Sequence, residues 1–407
     1  MSSATEESVL IAGAGPTGMS TALALEARGV PATILEAEPE DRDRSGSRAI
    51  YVHGTTLRTL ERVHPGLAHD LVEEGLVWPT RRTMWRGKKV FERTYDNPGG
   101  HGEIPHFSSI PQETTEEYML DALAEAGVEV HWDCAVEGVE SSEDGVRVET
   151  SDGREWDAEY LVGADGGGST VREEIGASFE GDQSENSFII ADIDEVEDDP
   201  WPLERLFHYD DPSVGGRNVL LVPFTGGWRL DIQCHEDDDP EELIEDERMR
   251  EFVRTVMGER YEENVTWVSS YKFLQVMADT FVDDHRRVLL AGEAAHLLAP
   301  FGARGMNSGI ADADEAASAV AAAIDANRPT ARDEIELYAA RRERAAEYNL
   351  EAAGTALEYL QGDNPITNRR KEAAAALADC FEPAGEYLDD APYGPHTAPP
   401  IVTTGNY

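Results

Sequence analysis

Ser8-Val-Leu-Ile-Ala12-Gly13-Ala-Gly15-Pro-Thr-Gly18 is the stretch that decides the fold of the first part of the chain. Its apolar start predicts a buried strand, and three glycines at Gly-x-Gly-x-x-Gly spacing follow at once. A helix ending near residue 29 and a second strand come next, and Glu36 ends that strand. The glycines allow a tight turn and let the backbone approach a pyrophosphate, and the acid can bind a ribose. We therefore predict a dinucleotide site here, and the spacing does not distinguish FAD from NAD.

A basic loop follows the second strand, in residues 41–49. It brings Arg42, Arg44 and Arg48 close to the predicted pyrophosphate, and an arginine can hold a phosphate through two hydrogen bonds. The alternative is a solvated loop whose arginines pair with its own acids. We favour phosphate contact for Arg48 and keep both interpretations for Arg42 and Arg44.

Residues 288–307 form a second candidate ligand site, late in the chain. An apolar run predicts a short buried strand, and Gly292-Glu293 places one carboxylate at its end. A turn with one proline and two glycines ends at Asn307, and residues 308–324 predict an Ala-rich helix. An acid, a tight turn and a helix N-terminus suit a large planar or anionic ligand. Taken alone, the same pattern also fits a buried joint between a strand and a helix.

The composition is strongly acidic. The 407 residues carry 82 acidic and 34 basic side chains, a net charge of −48, and only four of the basic residues are lysines. The acids are spread over the whole chain, which favours adaptation to very high salt, where screening removes the repulsion between surface charges. This charge argues against nucleic acids and anionic membranes as partners.

The cysteines and histidines indicate neither a disulfide framework nor a metal site. Cys134, Cys234 and Cys380 are far apart and odd in number, which is typical of a reducing compartment. The histidines lack the spacing of metal ligands. The N-terminus lacks the basic and apolar regions of a signal peptide, and no apolar run approaches the ~20 residues that span a bilayer. We predict a cytoplasmic protein.

A third motif lies between the two candidate sites, in residues 159–172, and includes Asp165-Gly166. With all three motifs in this order and spacing, the chain resembles the flavin-dependent aromatic hydroxylases, single-component FAD monooxygenases with the para-hydroxybenzoate-hydroxylase fold. The resemblance covers residues 8–349. Residues 115–118, 228–233 and 301–309 are most similar to the hydroxyphenylpropionate-hydroxylase-like branch.

The resemblance implies an α/β fold: a Rossmann-like FAD-binding domain with an inserted antiparallel-sheet substrate domain (α+β) and C-terminal helices. Alternation of apolar and polar residues in 76–95 and 187–234 independently predicts the antiparallel sheet. We expect a discontinuous FAD-binding domain, a substrate domain, and a C-terminal helix with an irregular tail. The FAD-binding domain comprises residues 1–75, 105–180 and 275–355. The substrate domain comprises residues 76–104 and 181–274, and the C-terminal part comprises residues 356–407.

The resemblance also implies which residues bind FAD. The pyrophosphate and the adenosine ribose are assigned to the first motif, namely Gly13, Ala14, Gly15, Pro16, Thr17, Gly18 and Glu36. Arg48 and Gln112 are assigned to the pyrophosphate and the ribityl chain, and Val136 to adenine. Asp165 and Gly166 are assigned to contact with FAD and the passing nicotinamide. The ribityl chain and the isoalloxazine are assigned to Gly292, Glu293, Pro300, Gly302, Gly305, Met306 and Asn307.

The chain departs from the family pattern in three ways. Glu293 replaces the usual aspartate, so its contact with the ribityl chain must shift by roughly one bond length. The family's Asn-Leu-Ala-Trp-Lys after the turn is replaced by Glu315-Ala-Ala-Ser-Ala. The chain after residue 349 is also too short for the thioredoxin-like domain that some relatives have.

The activity implied is hydroxylation of a phenol. NADH or NADPH reduces FAD, O2 reacts with the reduced flavin, and a flavin C4a-hydroperoxide transfers OH to the ring. A base that takes the phenol proton would make the ring more reactive. His208, Tyr209 and His235 are weak candidates for this base, and Arg229 is a weak candidate for holding an anion. A role in the core or at its rim fits each of them as well.

Other functions on the same scaffold stay open. One is an FAD-dependent reductase of isoprenoid lipids, and another is a flavin-binding protein without turnover. A flavin halogenase is disfavoured because the Trp-x-Trp-x-Ile-Pro signature is absent. The sequence names neither the aromatic substrate nor the nicotinamide cofactor, and it leaves a homodimer open.

Overall fold

A computed structural model describes residues 5–42, 49–96, 104–184, 187–361 and 364–393. Within these ranges the α-helices are α1 (Pro16–Glu26), α2 (Gly54–Val63), α3 (Leu67–Glu74), α4 (Gln112–Ala126), α5 (Thr170–Glu174), α6 (Pro240–Leu243), α7 (Asp246–Met257), α8 (Arg304–Ile324), α9 (Arg328–Gln361), α10 (Pro365–Leu377) and α11 (Glu382–Asp390). The strands are β1 (Thr5–Ala12), β2 (Ala32–Leu35), β3 (Val52–His53), β4 (Thr80–Trp85), β5 (Lys88–Thr94), β6 (Phe107–Ser108), β7 (Glu129–His131), β8 (Val136–Ser141), β9 (Val146–Thr150), β10 (Glu155–Gly163), β11 (Phe179–Gln183), β12 (Phe188–Asp194), β13 (Glu204–Asp211), β14 (Arg217–Phe224), β15 (Gly227–Gln233), β16 (Val265–Tyr271), β17 (Leu274–Ala278), β18 (Val288–Leu290) and β19 (His296–Leu297).

The first large sheet has the order β7-β2-β1-β10-β9-β8, with β18 beside β10. Strands β7, β2, β1, β10 and β18 run parallel, and β9 turns antiparallel to β10. The central strands read as continuous apolar runs because both faces of a parallel sheet are covered. Accordingly, Val9, Leu10 and Ile11 of β1 are fully buried. Helices α1 and α8 pack against each other beside this sheet.

The second large sheet has the order β16-β12-β15-β14-β13-β4-β5. Its neighbours are antiparallel except for β13 and β4, which run parallel. The alternation of apolar and polar residues, which predicted this sheet, places one face of each strand against protein. Two small sheets, β11-β17-β19 and β3-β6, join the parts. The predicted α/β fold with an antiparallel-sheet insertion is confirmed.

One helix start differs from the sequence prediction. Helix α8 begins at Arg304 rather than residue 308, because Ala303 adopts left-handed backbone angles (φ 52°) and ends the turn early. Met306 and Asn307 therefore lie on the helix and not in the turn.

The C-terminal part contains helices that the sequence reading did not resolve. The Asn364 side chain caps α10 by accepting hydrogen bonds from the backbone N–H groups of Ile366 and Thr367, and this is a strong start signal. Helix α11 packs on β4 and β5, and a 3-10 turn, Ala391–Tyr393, follows it. The predicted irregular tail falls largely on residues 394–407, which lie outside the described ranges. No helix in the described ranges is both long enough and apolar enough to cross a membrane.

Candidate active site

The first glycine turn is closed on its protein side and open on the other. A Cβ at Gly13 (φ 98°) would lie 2.5 Å from the Ala164 carbonyl oxygen, and a Cβ at Gly18 would lie 1.9 Å from the Gly13 oxygen. A Cβ at Gly15 meets no described protein atom within 4 Å. Gly15 is also the N-cap of α1 and brings no side chain to cap that helix. The N–H groups that begin α1 therefore face space that suits a pyrophosphate.

Glu36 is buried beside this turn. Its Oε2 accepts a hydrogen bond from the Ala14 N–H at 2.5 Å, and its Oε1 accepts one from the Glu38 N–H at 3.0 Å. Arg42 donates to the Ala14 carbonyl at 3.0 Å and stacks over the Trp132 ring, 4.9 Å from its centroid. The structure thus brings Arg42, for which the sequence left two interpretations, to the glycine turn.

Gln112 belongs to the same polar group. It donates to Glu116 Oε1 at 2.8 Å, and Glu116 Oε2 lies 3.6 Å from the Arg42 guanidinium. Glu116 was not predicted, although it stands one helical turn after Gln112 and its position was therefore readable. Arg44 and Arg48 lie outside the described residues, so their proposed phosphate contacts stay predictions.

Asp165 lies at the first glycine turn, where a Cβ at Gly13 would be 3.1 Å from its Cα. Asp165 Oδ1 accepts from the Ser169 hydroxyl at 2.5 Å, and Oδ2 accepts from the Val171 N–H at 3.1 Å, so Asp165 holds the start of α5. Burial raises the pKa of Asp165, although these hydrogen bonds lower it in part. Gly166 is in the left-handed region (φ 80°), and the buried Val136 begins β8.

The first and last motifs meet at Thr17. A Cβ at Gly292 (φ 61°) would lie 2.4 Å from the Thr17 hydroxyl oxygen, and one at Gly309 would lie 2.3 Å from it. Both positions therefore require glycine so that α1 can approach residues 291–303, which connect β18 to α8 and which we call the late turn. The Glu293 side chain, next to Gly292, is exposed. The Glu293 carboxylate is therefore accessible to a ligand where the first and last motifs meet.

A buried charged cluster lies behind the late turn. Asp312 is fully buried and accepts hydrogen bonds from the Gly292 N–H at 3.0 Å, His296 Nε2 at 2.7 Å and Arg342 Nε at 2.6 Å. Burial alone would raise the pKa of Asp312, but Arg342 and His296 bring it below its ordinary value. This cluster fixes Gly292 in place, and His296 has a structural role in it.

Residues 51–53, which the sequence reading missed, are tied to the late turn and α8. The His53 Nε2–H donates to the Gly302 carbonyl at 3.0 Å, and Asn307 bridges the chain by accepting from the His53 N–H and donating to the Tyr51 carbonyl, both at 2.9 Å. Burial lowers the pKa of His53 to about 4, so the ring is a neutral donor. Tyr51 stacks on Phe107 with ring centroids 4.6 Å apart. These contacts join residues far apart in sequence and leave no local signal.

A narrow, nearly closed pocket with about 20 Å³ of free volume lies between the late turn and the second sheet. Its walls are Phe188, Ile190, Phe207, Asn218, Leu220, Asp231, Gln233, Phe273, Pro300, Phe301 and Leu360. Rings from the sheet side and the turn side are in contact, with the centroids of Phe188 and Phe301 5.5 Å apart. A second and larger cleft of about 390 Å³, between β5 and residues 378–382, contains none of the motif residues. The first pocket is therefore the candidate substrate site.

The four predicted substrate-site residues are engaged elsewhere, and none of them lines this pocket. His208 binds Asp211 through Nδ1 at 2.9 Å and accepts from the Gly87 N–H through Nε2. The buried Tyr209 hydroxyl donates to the Leu388 carbonyl at 2.6 Å.

The other two predicted residues also have protein partners. Arg229 forms two hydrogen bonds of 2.8 Å with Asp192. His235 Nε2 donates to the Gly215 carbonyl at 3.0 Å. The pocket's own polar residues, Asn218, Asp231 and Gln233, were not proposed. No group of three or more His, Cys, Asp or Glu in the described parts of the chain is arranged to hold a metal ion.

The chain belongs to the FAD binding domain family, whose model matches residues 6–353. It is 32% identical over 319 residues to a flavin-dependent monooxygenase of Mycobacteroides abscessus, covering 75% of this chain and 65% of that protein. It is 26% identical over 381 residues to a para-nitrophenol 4-monooxygenase of a Pseudomonas species, covering 91% of both chains. The solved structure of p-nitrophenol 4-monooxygenase from Pseudomonas putida superposes with a TM-score of 0.77 at 24% identity, covering 96% of this chain and 99% of that one.

FAD is the cofactor of this family, and the geometry of this chain fits it. The open space at Gly15, the uncapped start of α1 and the buried carboxylate of Glu36 are the features that a dinucleotide requires. The chain spans less than two thirds of the Mycobacteroides abscessus relative, 65% of its length.

Proposed function

We propose that this protein is an FAD-dependent monooxygenase that uses NADH or NADPH and O2 to hydroxylate a phenolic ring. The observation that carries the proposal is the aromatic pocket, because Pro300 and Phe301 of the late turn form one of its walls. The turn that would face the flavin thus also forms a wall of the pocket that would hold the substrate ring. The names of the relatives, flavin-dependent monooxygenase and para-nitrophenol 4-monooxygenase, support this activity.

Residues from all three motifs would hold FAD. We assign the pyrophosphate to the start of α1 and the adenosine ribose to Glu36, with Arg42 and Gln112 nearby. Glu293, the late turn and the first residues of α8 up to Asn307 are assigned to the ribityl chain and the ring. FAD bound there supplies the redox chemistry, accepting a hydride from the nicotinamide and activating O2.

The protein's own contribution is electrostatic and steric. Helix α8 starts at Arg304 directly after the turn, and the positive end of its dipole would favour negative charge on a flavin bound there. The phenylalanine walls keep water away from the reacting atoms, which limits the loss of oxidising equivalents as H2O2. No acid–base triad is required of the protein for the redox steps.

The lining of the pocket favours an aromatic substrate. Its free volume is about 20 Å³ in this conformation, so the rings that close it must move apart to admit a substrate. Its walls are mostly aromatic and aliphatic, with three polar side chains at the sheet. We infer a phenol whose hydroxyl group is directed at those polar residues.

The experiment that tests the proposal is NAD(P)H oxidation by the FAD-loaded protein with a panel of phenols. Stimulation by a phenol, with hydroxylated product formed and little H2O2, is the expected result. Oxidation that no phenol stimulates would overturn the proposal, and a colourless protein after FAD addition would remove flavin chemistry altogether. Running NADH and NADPH side by side decides between the two reductants.

We further propose that the protein works in a salt-rich cytoplasm. The net charge of −48 is compatible with a compact fold only where salt screens the repulsion between the acids. Unfolding by urea at increasing KCl tests this proposal. A midpoint that rises steadily into molar KCl is expected, and a midpoint that is highest at low salt would contradict it.

A further inference from the structure

Asp231 is the only carboxylate among the described residues that line the aromatic pocket. It lies in the middle of β15, with Leu220 of β14 and Ile190 of β12 as its direct neighbours across the sheet. Its side chain is therefore flanked by apolar groups on both sides, and it is half-buried at the pocket wall. A carboxylate in such surroundings needs a partner.

The protein does not supply that partner. Asp231 Oδ1 is buried and accepts no hydrogen bond from the described residues. The nearby cation, Arg229, is bonded twice to Asp192. A buried acceptor without a donor is unfavourable, and a native structure that retains one calls for an explanation.

The other polar side chains of the pocket are bonded to each other. Asn218 Nδ2 donates to Gln233 Oε1 at 2.7 Å and to the Leu360 carbonyl at 3.0 Å. Asn218 Oδ1 accepts from the Asp210 N–H at 3.1 Å. Among the described side chains that line the pocket, Asp231 thus carries the buried acceptor that has no donor.

We propose that Asp231 accepts the proton of the substrate's phenolic hydroxyl group. The inference rests on the proposed hydroxylation and names the residue that would activate the ring. The phenol O–H bond breaks, its proton moves to the Asp231 carboxylate, and the electron pair stays on the phenolate oxygen. The phenolate ring is richer in electrons and is attacked more readily by an electrophilic oxygen. Asp231 is accordingly a catalytic residue that contacts the substrate.

The charges around Asp231 suit this role. Burial raises its pKa to about 7, Arg229 lowers it in part and Asp192 raises it. The walls contributed by the late turn, by Phe273 and by Leu360 of α9 are apolar and add no charge. A general base works best when its pKa lies close to the operating pH.

The kinetic test uses the FAD-loaded full chain in molar KCl and compares Asp231→Asn with wild type. For phenols that are neutral at the assay pH, turnover falls by about 100-fold or more, in the range for loss of a general base. For 4-nitrophenol at about pH 8, where it is mostly ionised, the loss is much smaller because the proton has already gone. A purely structural role would lower turnover of both substrates alike.

A binding measurement supplies a readout that does not depend on turnover. At about pH 8 both 4-nitrophenol and Asp231 are mainly anionic, and two anions in contact must share a proton. Binding to wild type therefore takes up close to one proton, measured by calorimetry in buffers of different ionisation enthalpy. Binding to Asp231→Asn takes up none.

The matched control is Asp194→Asn, which removes an exposed carboxylate at the end of β12 in the same sheet. This variant should behave as wild type in both assays. If Asp231→Asn hydroxylates neutral phenols at the wild-type rate, or takes up the same number of protons, the assignment of Asp231 fails while the hydroxylase function stands. If wild type neither binds nor is stimulated by any phenol, both proposals fail.

Discussion

The carboxylates of Asp312 and Asp231 are in opposite situations. Asp312, behind the late turn, accepts hydrogen bonds from Gly292, His296 and Arg342, and its pKa is lowered. Asp231, at the pocket wall, accepts none from the described residues at its buried oxygen, and its pKa is raised to about 7. The protein supplies hydrogen-bond donors to the carboxylate of Asp312 but not to the buried oxygen of Asp231.

The difference lies in which acid the nearby arginine binds. Arg342 directs its Nε to Asp312 at 2.6 Å, whereas Arg229 is bonded to Asp192 and does not donate to Asp231 Oδ1. A buried ion pair with all its hydrogen bonds fixes a local structure. A buried acid without them lowers stability and is retained where function requires it. We therefore assign a structural role to Asp312 and a catalytic role to Asp231.

The largest effect is expected from Asp312→Asn. This change leaves Arg342 and His296 without their buried anion, which costs about 3–5 kcal/mol of the free energy of unfolding. Urea unfolding in molar KCl measures it. Because its pKa is lowered by folding, Asp312 stabilises the wild type above the unfolded pKa of about 4, and this contribution is lost as the pH falls through the folded value.

Asp314→Asn is the control for Asp312. Asp314 lies on the same helix and pairs with Arg28 and Arg62 at 2.8 and 2.6 Å, but it is partly exposed. Its replacement should change the free energy of unfolding by no more than about 1 kcal/mol. Equal losses for the two variants would show that the buried cluster is not special.

The glycines of the first turn offer the same contrast between a structural role and a binding role. Gly18→Ala places a Cβ against the Gly13 carbonyl and should destabilise the FAD-free protein by about 1–3 kcal/mol. Gly15→Ala meets open space at ordinary backbone angles (φ −81°), so it should leave stability unchanged or raise it by about 0.4–1 kcal/mol. Its FAD affinity should fall instead. Thermal unfolding and FAD titration separate the two, and a normal affinity for Gly15→Ala would place the pyrophosphate elsewhere.

Asp231→Asn should affect stability with the sign opposite to Asp312→Asn. The folded pKa of about 7 lies above the unfolded value, so the wild type loses stability as the pH rises from about 4 to about 7. The asparagine variant does not titrate, and between about pH 5 and pH 8 it should gain about 1–2 kcal/mol relative to wild type, a figure reduced for partial exposure. Urea unfolding at both pH values measures the gain. A difference that is independent of pH would mean that Asp231 does not titrate in this range.

The smallest effect is expected at Glu293, which stands where the flavin-dependent aromatic hydroxylases usually have an aspartate. Glu293 is exposed, so Glu293→Ala should leave the fold intact and weaken FAD binding by about 1–2 kcal/mol through a lost hydrogen bond to the ribityl chain. Glu293→Asp should keep FAD bound. Fluorescence titration of FAD compares the three proteins, and unchanged affinity in the alanine variant would remove Glu293 from the site.

The parts of the fold that were predictable from the sequence are those encoded locally. Strand, glycines, helix and acid follow one another between residues 8 and 36, so the turn and the buried Glu36 could be expected before the structure. The start signal of α10, Asn364-Pro365, was equally local and could have been found.

The pocket was only partly readable. Residues 229, 231 and 233 alternate along one strand, so Arg229, Asp231 and Gln233 had to share a face. The sequence reading selected the arginine from this set. Only the pairing of β12 with β15 shows that Asp192 occupies Arg229 and leaves Asp231 without a donor. The ties from Asn307 to residues 51–53 are likewise long-range hydrogen bonds and have no trace in local sequence.

The central claim is that the pocket beside the late turn is where an aromatic ring gains an oxygen atom from O2. The most direct test is turnover of a stimulating phenol under isotopically heavy dioxygen, with mass spectrometry of the product. The account predicts heavy oxygen in the new hydroxyl group of the wild-type product, and much less of that product from Asp231→Asn. Absence of a hydroxylated product, or a product whose oxygen comes from water, would contradict it.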